Sequence, residues 1–400
     1  MRIFVINAGS SSIKYQLFDM STNLILGKGM CERIGLPKSR IIHRAAGREI
    51  VRTMEIADHT MAIAQIFEIL QDKTFGVIKS LQEIDAVGHR VLHGGAVFSD
   101  SVLITDEVIK AIEENIPLGP LHNPANLAGI QACRKLLPNM PMAAVFDTAF
   151  HQTLPRKAFL YALPYDYYQR LKIRKYGFHG TSYRYAAEKA AETLNKSQKE
   201  LKMVICHLGN GASVCAIDKG QCVDTSMGLT PLEGLVMGTR SGDLDPAIVE
   251  FICRRDGKTV EEVFAILNRK SGLLGLSDGL SSDSRDIEDA MHRGDDRGIR
   301  AVEVFTYRIR KYIGAYAAVM NGLDVIAFTG GIGEHSPDTR SMVLKDLQFF
   351  GIEIDEALNQ KNAPMIHGDS SRVKALIIPA NEELAIAQET YRLVSNPAFN

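Results

Sequence analysis

The sequence predicts an α/β protein built of two similar halves, and three observations carry that expectation. The chain has 400 residues, long for one hydrophobic core and comfortable for two. A strand, turn, strand pattern at the N-terminus recurs half a chain later. Apolar strands alternate with amphipathic helices and run directly into clusters of Gly, Asp, His, Asn or Glu.

Residues 2–6 read as the first strand, Gly9-Ser10-Ser11-Ser12 as a turn, and Ile13, Tyr15 and Leu17, alternating with Lys14, Gln16 and Phe18, as the returning strand. This is a hairpin and not a strand feeding a helix. Residues 203–218 have the same grammar, with Val204-Ile205-Cys206, a turn at Gly209-Asn210-Gly211, and an apolar return through Val214 and Ile217. Asn7 and His207 take equivalent places 200 residues apart, which reads as an internal duplication. Further strands are expected at 86–87, 143–146, 325–328 and 375–378. Helices with one buried stripe are expected around Ile63, Ile66, Phe67 and Leu70, and around Val302, Phe305, Ile309 and Tyr316. The last helix, 382–394, has nothing after it to pack on and is expected to return to the first domain.

Lys+Arg of 46 against Asp+Glu of 47 gives a net charge of -1, which removes the electrostatic case for a nucleic-acid partner. A hydrophobic share of 46% with 23% charged residues is ordinary globular composition. No apolar run approaches the roughly 18 residues of a membrane span, and no signal-peptide core follows Met1, so neither a membrane nor an export role is expected and the protein is placed in the cytoplasm. Six cysteines without C-x-x-C spacing read as reduced thiols rather than as a disulfide framework or zinc site.

Three glycine-lined turns end apolar strands: Gly9 to Lys14, His207-Leu208-Gly209-Asn210-Gly211, and Thr329-Gly330-Gly331-Ile332-Gly333-Glu334. Ser10, Ser12, Lys14 and the backbone amides of the first turn suit phosphate oxygens. Each turn alone is equally a tight hairpin turn, and together they point to one nucleotide. Neither a Walker A loop nor a G-x-G-x-x-G frame is present. Arg90 and Arg240 lie among small residues near strand ends, where a guanidinium fork can reach a ligand, although a surface ion pair is the plainer reading and Asp243 and Asp245 are available to Arg240. Asp147 and Glu382 close or follow strands, where a carboxylate suits Mg²⁺ or a helix cap. His122, His179 and His207 lack metal spacing and suit donation to a phosphoryl group better.

In order and spacing, segments 7–14, 88–95, 120–123, 146–151, 176–182, 206–212, 224–242, 282–285, 329–334 and 381–384 resemble the acetate kinase family over essentially the whole chain. The most specific stretch is Asp-Thr-Ser-Met-Gly-Leu-Thr-Pro-Leu-Glu-Gly at 224–234, followed by Met-Gly-Thr-Arg-Ser-Gly-Asp. The resemblance implies the duplicated two-domain actin-like ATPase fold, with ribonuclease H-like halves and an interdomain cleft. Its N-terminal domain is residues 1–150 plus the C-terminal helix 383–400, and residues 151–382 form the nucleotide-binding and dimerisation domain. It implies a homodimer and reversible phosphoryl transfer between ATP and acetate with Mg²⁺, or Mn²⁺ in its place. Carried over, Arg90 and Arg240 hold the carboxylate and the transferring phosphoryl, His179 donates to its oxygens, and Asn7 and Glu382 position the metal. Lys14, His207, Leu208, Gly209, Asn210, Gly211, Asp283, Ser284, Arg285, Gly331, Ile332, Gly333, Glu334 and His335 contact the nucleotide. Leu92, Leu121, Phe178 and Pro231 form the acyl pocket.

The chain departs from the family pattern at His335, where Asn is usual, and at Ala380, where Thr is common; Leu92 stands where valine is usual, so a shorter acyl pocket is expected. The family assigns Asp147 an acid/base role, but a carboxyl of reference pKa near ~4 has no proton to give at neutral pH, so Asp147 is expected to orient the metal or Arg90. Propionate or butyrate kinase is the nearest alternative, and an Hsp70-like ATPase or a sugar kinase would share the glycine turns.

Overall fold

The computed structural model describes residues 1–120 and 122–396. The chain divides into two units, Met1–Gln152 with the residues from Asn381 onward, and Thr153–Ala380. The first unit carries eight strands: β1 (Arg2–Ala8), β2 (Ser12–Asp19), β3 (Leu24–Glu32), β4 (Ser39–Ala45), β5 (Arg48–Met54), β6 (Ala86–Val91), β7 (Val102–Leu103) and β8 (Met142–Phe146). They form one sheet in the order β5-β4-β3-β2-β1-β6-β8-β7. The second unit carries β9 (Lys202–Leu208), β10 (Ala212–Asp218), β11 (Gln221–Thr225), β12 (Val325–Thr329) and β13 (Lys374–Ile377) in the order β11-β10-β9-β12-β13.

The repeat inferred from Asn7 and His207 is visible in the topology. In each unit a three-stranded antiparallel meander (β1-β2-β3, β9-β10-β11) is extended on its first strand by two parallel strands (β6 and β8, β12 and β13). The parallel strands read as continuous apolar runs because both sheet faces are covered. On β1, Phe4, Ile6 and Ala8 pack with Ile63 and Ile66 of the helix His59–Leu70. Ile3 and Val5 point the other way, to Ile386 and Ala387. Those last two belong to the C-terminal helix Glu382–Val394, which packs on β1, β6 and β8, as expected from its lack of a later partner. A glycine on β6 makes the close fit possible: a Cβ at Gly88 would sit 2.4 Å from Thr390 Oγ1 and 2.8 Å from Ile386 Cγ2.

In the second unit the long helix Asp296–Val319 lays Val302, Phe305, Ile309 and Tyr316 on the sheet, one buried stripe at helical spacing. Among the described residues no disulfide joins the six cysteines, and five of them are buried. Among the described residues no helix is long and apolar enough to cross a membrane.

Candidate active site

In the first unit, the β1-β2 register places Asn7 opposite Lys14, so both side chains leave one face at the strand ends. They line a small pocket of about 130 Å³ with Ser12, Arg90 and Leu92. Arg90 is not a surface pair. Its Nε and Nη2 donate to Oδ1 and Oδ2 of Asp147 at 3.0 and 2.7 Å, and Asp147 is only 1% exposed. This forked, charge-assisted geometry fixes the guanidinium plane. Burial opposes the Arg90 charge and the Asp147 carboxylate more than restores it.

Leu92 is buried, and its N–H donates to Asn126 Oδ1 at 3.0 Å while Asn126 Nδ2 donates to the Ala8 carbonyl at 2.8 Å. Asn126 therefore pins the end of β1 to the segment after β6. Sequence reading missed it because an asparagine inside a helix carries no signal without the partner strands. Leu121 lies outside the described residues. Glu382 opens the C-terminal helix, but the cap is Asn381, whose side chain accepts from the Leu384 N–H at 3.1 Å. Burial pushes the Glu382 carboxyl above its ordinary range and Asp147 adds to the shift, against Arg90 and Lys14. Among the described residues no hydrogen bond ends on this carboxylate, so its oxygens suit a hard cation.

In the second unit, Arg240 and His179 meet at the β9-β10 turn. A Cβ at Gly211 would lie 3.5 Å from Arg240 Nη2 and 3.8 Å from His179 Cε1. Arg240 Nη1 donates to the Pro231 carbonyl at 2.8 Å. Among the described residues it has no carboxylate partner, and burial lowers its pKa. Neither aspartate weighed for that role takes it. Asp243 accepts from the Gly234 N–H and the Tyr312 hydroxyl, each at 2.7 Å, and Asp245 accepts from the Ala247 N–H at 2.9 Å, at the start of the helix Ala247–Asp256. The loop that offers Pro231 is braced by Lys175, 3.2 Å from Glu233, and by the Tyr161 hydroxyl, which donates to Glu233.

His179 caps the helix Gly180–Thr193 with φ of 59°, and its Nδ1 is 2.8 Å from Ser213 Oγ. Its ring stacks on His207 at 4.2 Å, and Ser182 Oγ lies 2.8 Å from His207 Nδ1. Phe178 beside it is buried. Ser182 and Ser213 are positioning groups that pattern reading could not rank among the many serines.

A cavity of about 540 Å³, within the range that takes a nucleotide-sized ligand, is lined by Gly209, Asn210, Asp283, Ser284, Arg285 and Gly331, with Ile332 and His335 alongside. The structure thus brings together the three separate segments expected to contact the nucleotide in this unit. Asp283 caps the helix Ser284–His292 and pairs with Arg285 at 2.6 Å, which holds its carboxyl down at about 2. Gly331 faces open space, where a Cβ would meet nothing within 4 Å. Glu334 Oε1 accepts from the Ala380 N–H at 2.9 Å. Gly238, Leu273, Glu288 and Ser336 complete the wall and were not foreseen. Ser10 and Ser12 belong to the first unit's turn, where the Gly9 N–H donates to the Ser12 carbonyl at 2.7 Å.

The profile of the Acetokinase family matches residues 2–388. The chain is 57% identical to "Acetate kinase" of Thermotoga maritima, covering 98% of this chain and 99% of the relative. It is 54% identical to "Acetate kinase" of Halothermothrix orenii, covering 99% and 100%. Among solved structures, Porphyromonas gingivalis acetate kinase superposes with a TM-score of 0.95 at 45% identity, covering 98% of this chain and 100% of that one. A propionate kinase from Francisella tularensis superposes with a TM-score of 0.92 at 40% identity, covering 98% and 99%. The fold is a duplicated two-sheet α/β fold shared with acetate kinase structures, and the chain belongs to the acetokinase family.

Proposed function

We propose that the protein transfers the γ-phosphoryl group of ATP reversibly to acetate, giving acetyl phosphate and ADP. The observation that carries this reading is Arg240: a half-buried guanidinium without a carboxylate partner among the described residues, beside His179 and a glycine turn, is a cation awaiting an anion. An acetate oxygen attacks the γ-phosphorus as the bond to the ADP oxygen breaks, and the electron pair leaves with ADP. Acetate is already ionised at neutral pH, so no base has to remove a proton. Charge spread over the equatorial oxygens calls for donors and cations in fixed positions. Arg90, Arg240 and His179 are proposed to supply them, with Lys14, Ser10, Ser12 and the residues of the second-unit cavity binding the nucleotide.

Asp147 acts by orienting Arg90, which the forked ion pair supports and a base role does not need. Asn7 and Glu382 are proposed to hold Mg²⁺, with Mn²⁺ as a substitute; the unbonded Glu382 carboxylate and the Asn7 amide supply oxygen donors. When bound, the ion neutralises phosphate charge. The protein is also proposed to be cytoplasmic and homodimeric. Ile248, Phe251 and Phe264, exposed on the paired helices Ala247–Asp256 and Val260–Arg269, support a contact with a second copy, and light scattering would register it as twice the chain mass.

The deciding assay is ADP formation against acetate, propionate, butyrate and glucose, with and without Mg²⁺. Acetate and Mg²⁺ are both expected to be required; turnover with glucose, or without any acceptor, contradicts the proposal. Propionate is the second reading, favoured by the Francisella relative and opposed by Leu92 in a pocket of only about 130 Å³. Leu92→Ala is expected to raise the propionate-to-acetate ratio of kcat/KM about tenfold, since one methylene is worth roughly 1 to 3 kcal/mol in an apolar site. An unmoved ratio means that Leu92 does not bound the pocket. Gly331→Val is expected to keep its fold, because its side chain enters open space, yet to raise KM for ATP about tenfold or more by filling the cavity while KM for acetate stays level.

A further inference from the structure

Glu288 stands on the helix Ser284–His292, one turn beyond Ser284, and lines the same cavity as Asn210 and Gly331. Its Oε1 accepts from the hydroxyls of Ser336 and Thr339, the second at 2.8 Å. Ser336 Oγ also accepts from the Thr339 N–H at 3.0 Å, capping the helix Pro337–Leu344. Among the described residues no donor reaches Oε2. The wall behind this anchor is stiff. Arg340 is fully buried, and donates to the Gly333 carbonyl and to Asn359 Oδ1, each at 2.8 Å, and to the Asn359 carbonyl at 2.9 Å. Glu288 is thus a carboxylate on the cavity wall with one oxygen fixed by two hydroxyls and no described donor on the other, in a shell that holds its direction. Burial pushes its carboxyl above the usual range despite those two donors.

Asp283, on the same helix terminus, is paired with Arg285, so Glu288 is the cavity carboxylate without a cationic partner among the described residues. A phosphate oxygen set against it would place two anions together, so the group that meets Glu288 belongs to the nucleoside. We propose that Glu288 selects the nucleotide: Oε2 accepts a hydrogen bond from an N–H or O–H donor on the base or the ribose, and disfavours analogues that present an acceptor or nothing there. The proposal rests on the nucleotide occupying this cavity, as proposed above.

The test compares kcat/KM of the wild type and Glu288→Gln for ATP, ITP, purine riboside triphosphate and 2′-dATP. In the variant the two hydroxyls hold the amide oxygen, and its NH₂ turns to the cavity, so an acceptor site becomes a donor. The wild type is expected to prefer ATP over at least one analogue by about tenfold, and Glu288→Gln to shrink that preference below about threefold. A gain for ITP relative to ATP identifies the base amine as the donor; collapse of the 2′-dATP discrimination identifies the ribose. The proposal is overturned if the wild type treats all four alike, or if the variant lowers all four in equal proportion, as a merely structural residue would. The underlying cavity assignment fails separately, if Gly331→Val leaves KM for ATP unchanged.

Discussion

Arg240→Ala is expected to lower kcat/KM by about 10³ to 10⁵, the range over which a guanidinium contributes to phosphoryl transfer, while leaving thermal stability unchanged or slightly raised. The two halves of that expectation have one cause. Among the described residues Arg240 has no ion pair to lose: its hydrogen bonds go to the Pro231 carbonyl and the Met237 sulfur, and its burial disfavours the charge. A folded protein that keeps such a group without a carboxylate partner among the described residues retains a destabilising feature at a place where an anion will relieve it. Melting temperature and kinetics measured on the same preparation check this. A variant that loses several degrees of stability along with activity would make Arg240 a structural residue, and the case for a waiting phosphoryl site would go with it.

Asp147→Asn is expected to lower kcat about 100-fold, the scale on which a misplaced catalytic group costs rate. The amide cannot accept both guanidinium bonds of Arg90, and its NH₂ opposes one donor, so stability should also fall by about 1 to 3 kcal/mol, the loss of a charge-assisted hydrogen bond. The discriminating arm is the double variant. If Asp147 works through Arg90, then Asp147→Asn should have little further effect on kcat once Arg90 is alanine. A full 100-fold loss in that background would give Asp147 a role of its own, on the metal or on a proton.

How much of this was legible in the sequence follows from the physics of each signal. The repeated hairpins were, because alternation and turn residues are local, and the matching strand orders of the two sheets follow from them. The C-terminal helix could be sent back to the first unit because nothing follows it to pack on, but not to its face on β1, β6 and β8, which depends on Gly88 admitting Thr390. Arg240 could be found as an arginine among glycines. That it lacks an aspartate, with Asp243 and Asp245 so close in sequence, could not, since Tyr312 and the Gly234 amide that claim Asp243 come from other parts of the chain. Glu288 gave no signal at all. A glutamate on an exposed-looking helix becomes notable only when Ser336 and Thr339 are seen to hold one of its oxygens.

The most direct measurement is the stoichiometry of acyl phosphate, trapped as its hydroxamate, against ADP released by the wild-type protein with ATP, Mg²⁺ and acetate. One hydroxamate for each ADP, and no ADP when acetate is left out, is the expected result. ADP released without hydroxamate, at a rate indifferent to acetate, would contradict phosphoryl transfer to a carboxylate and make the protein a nucleotide hydrolase.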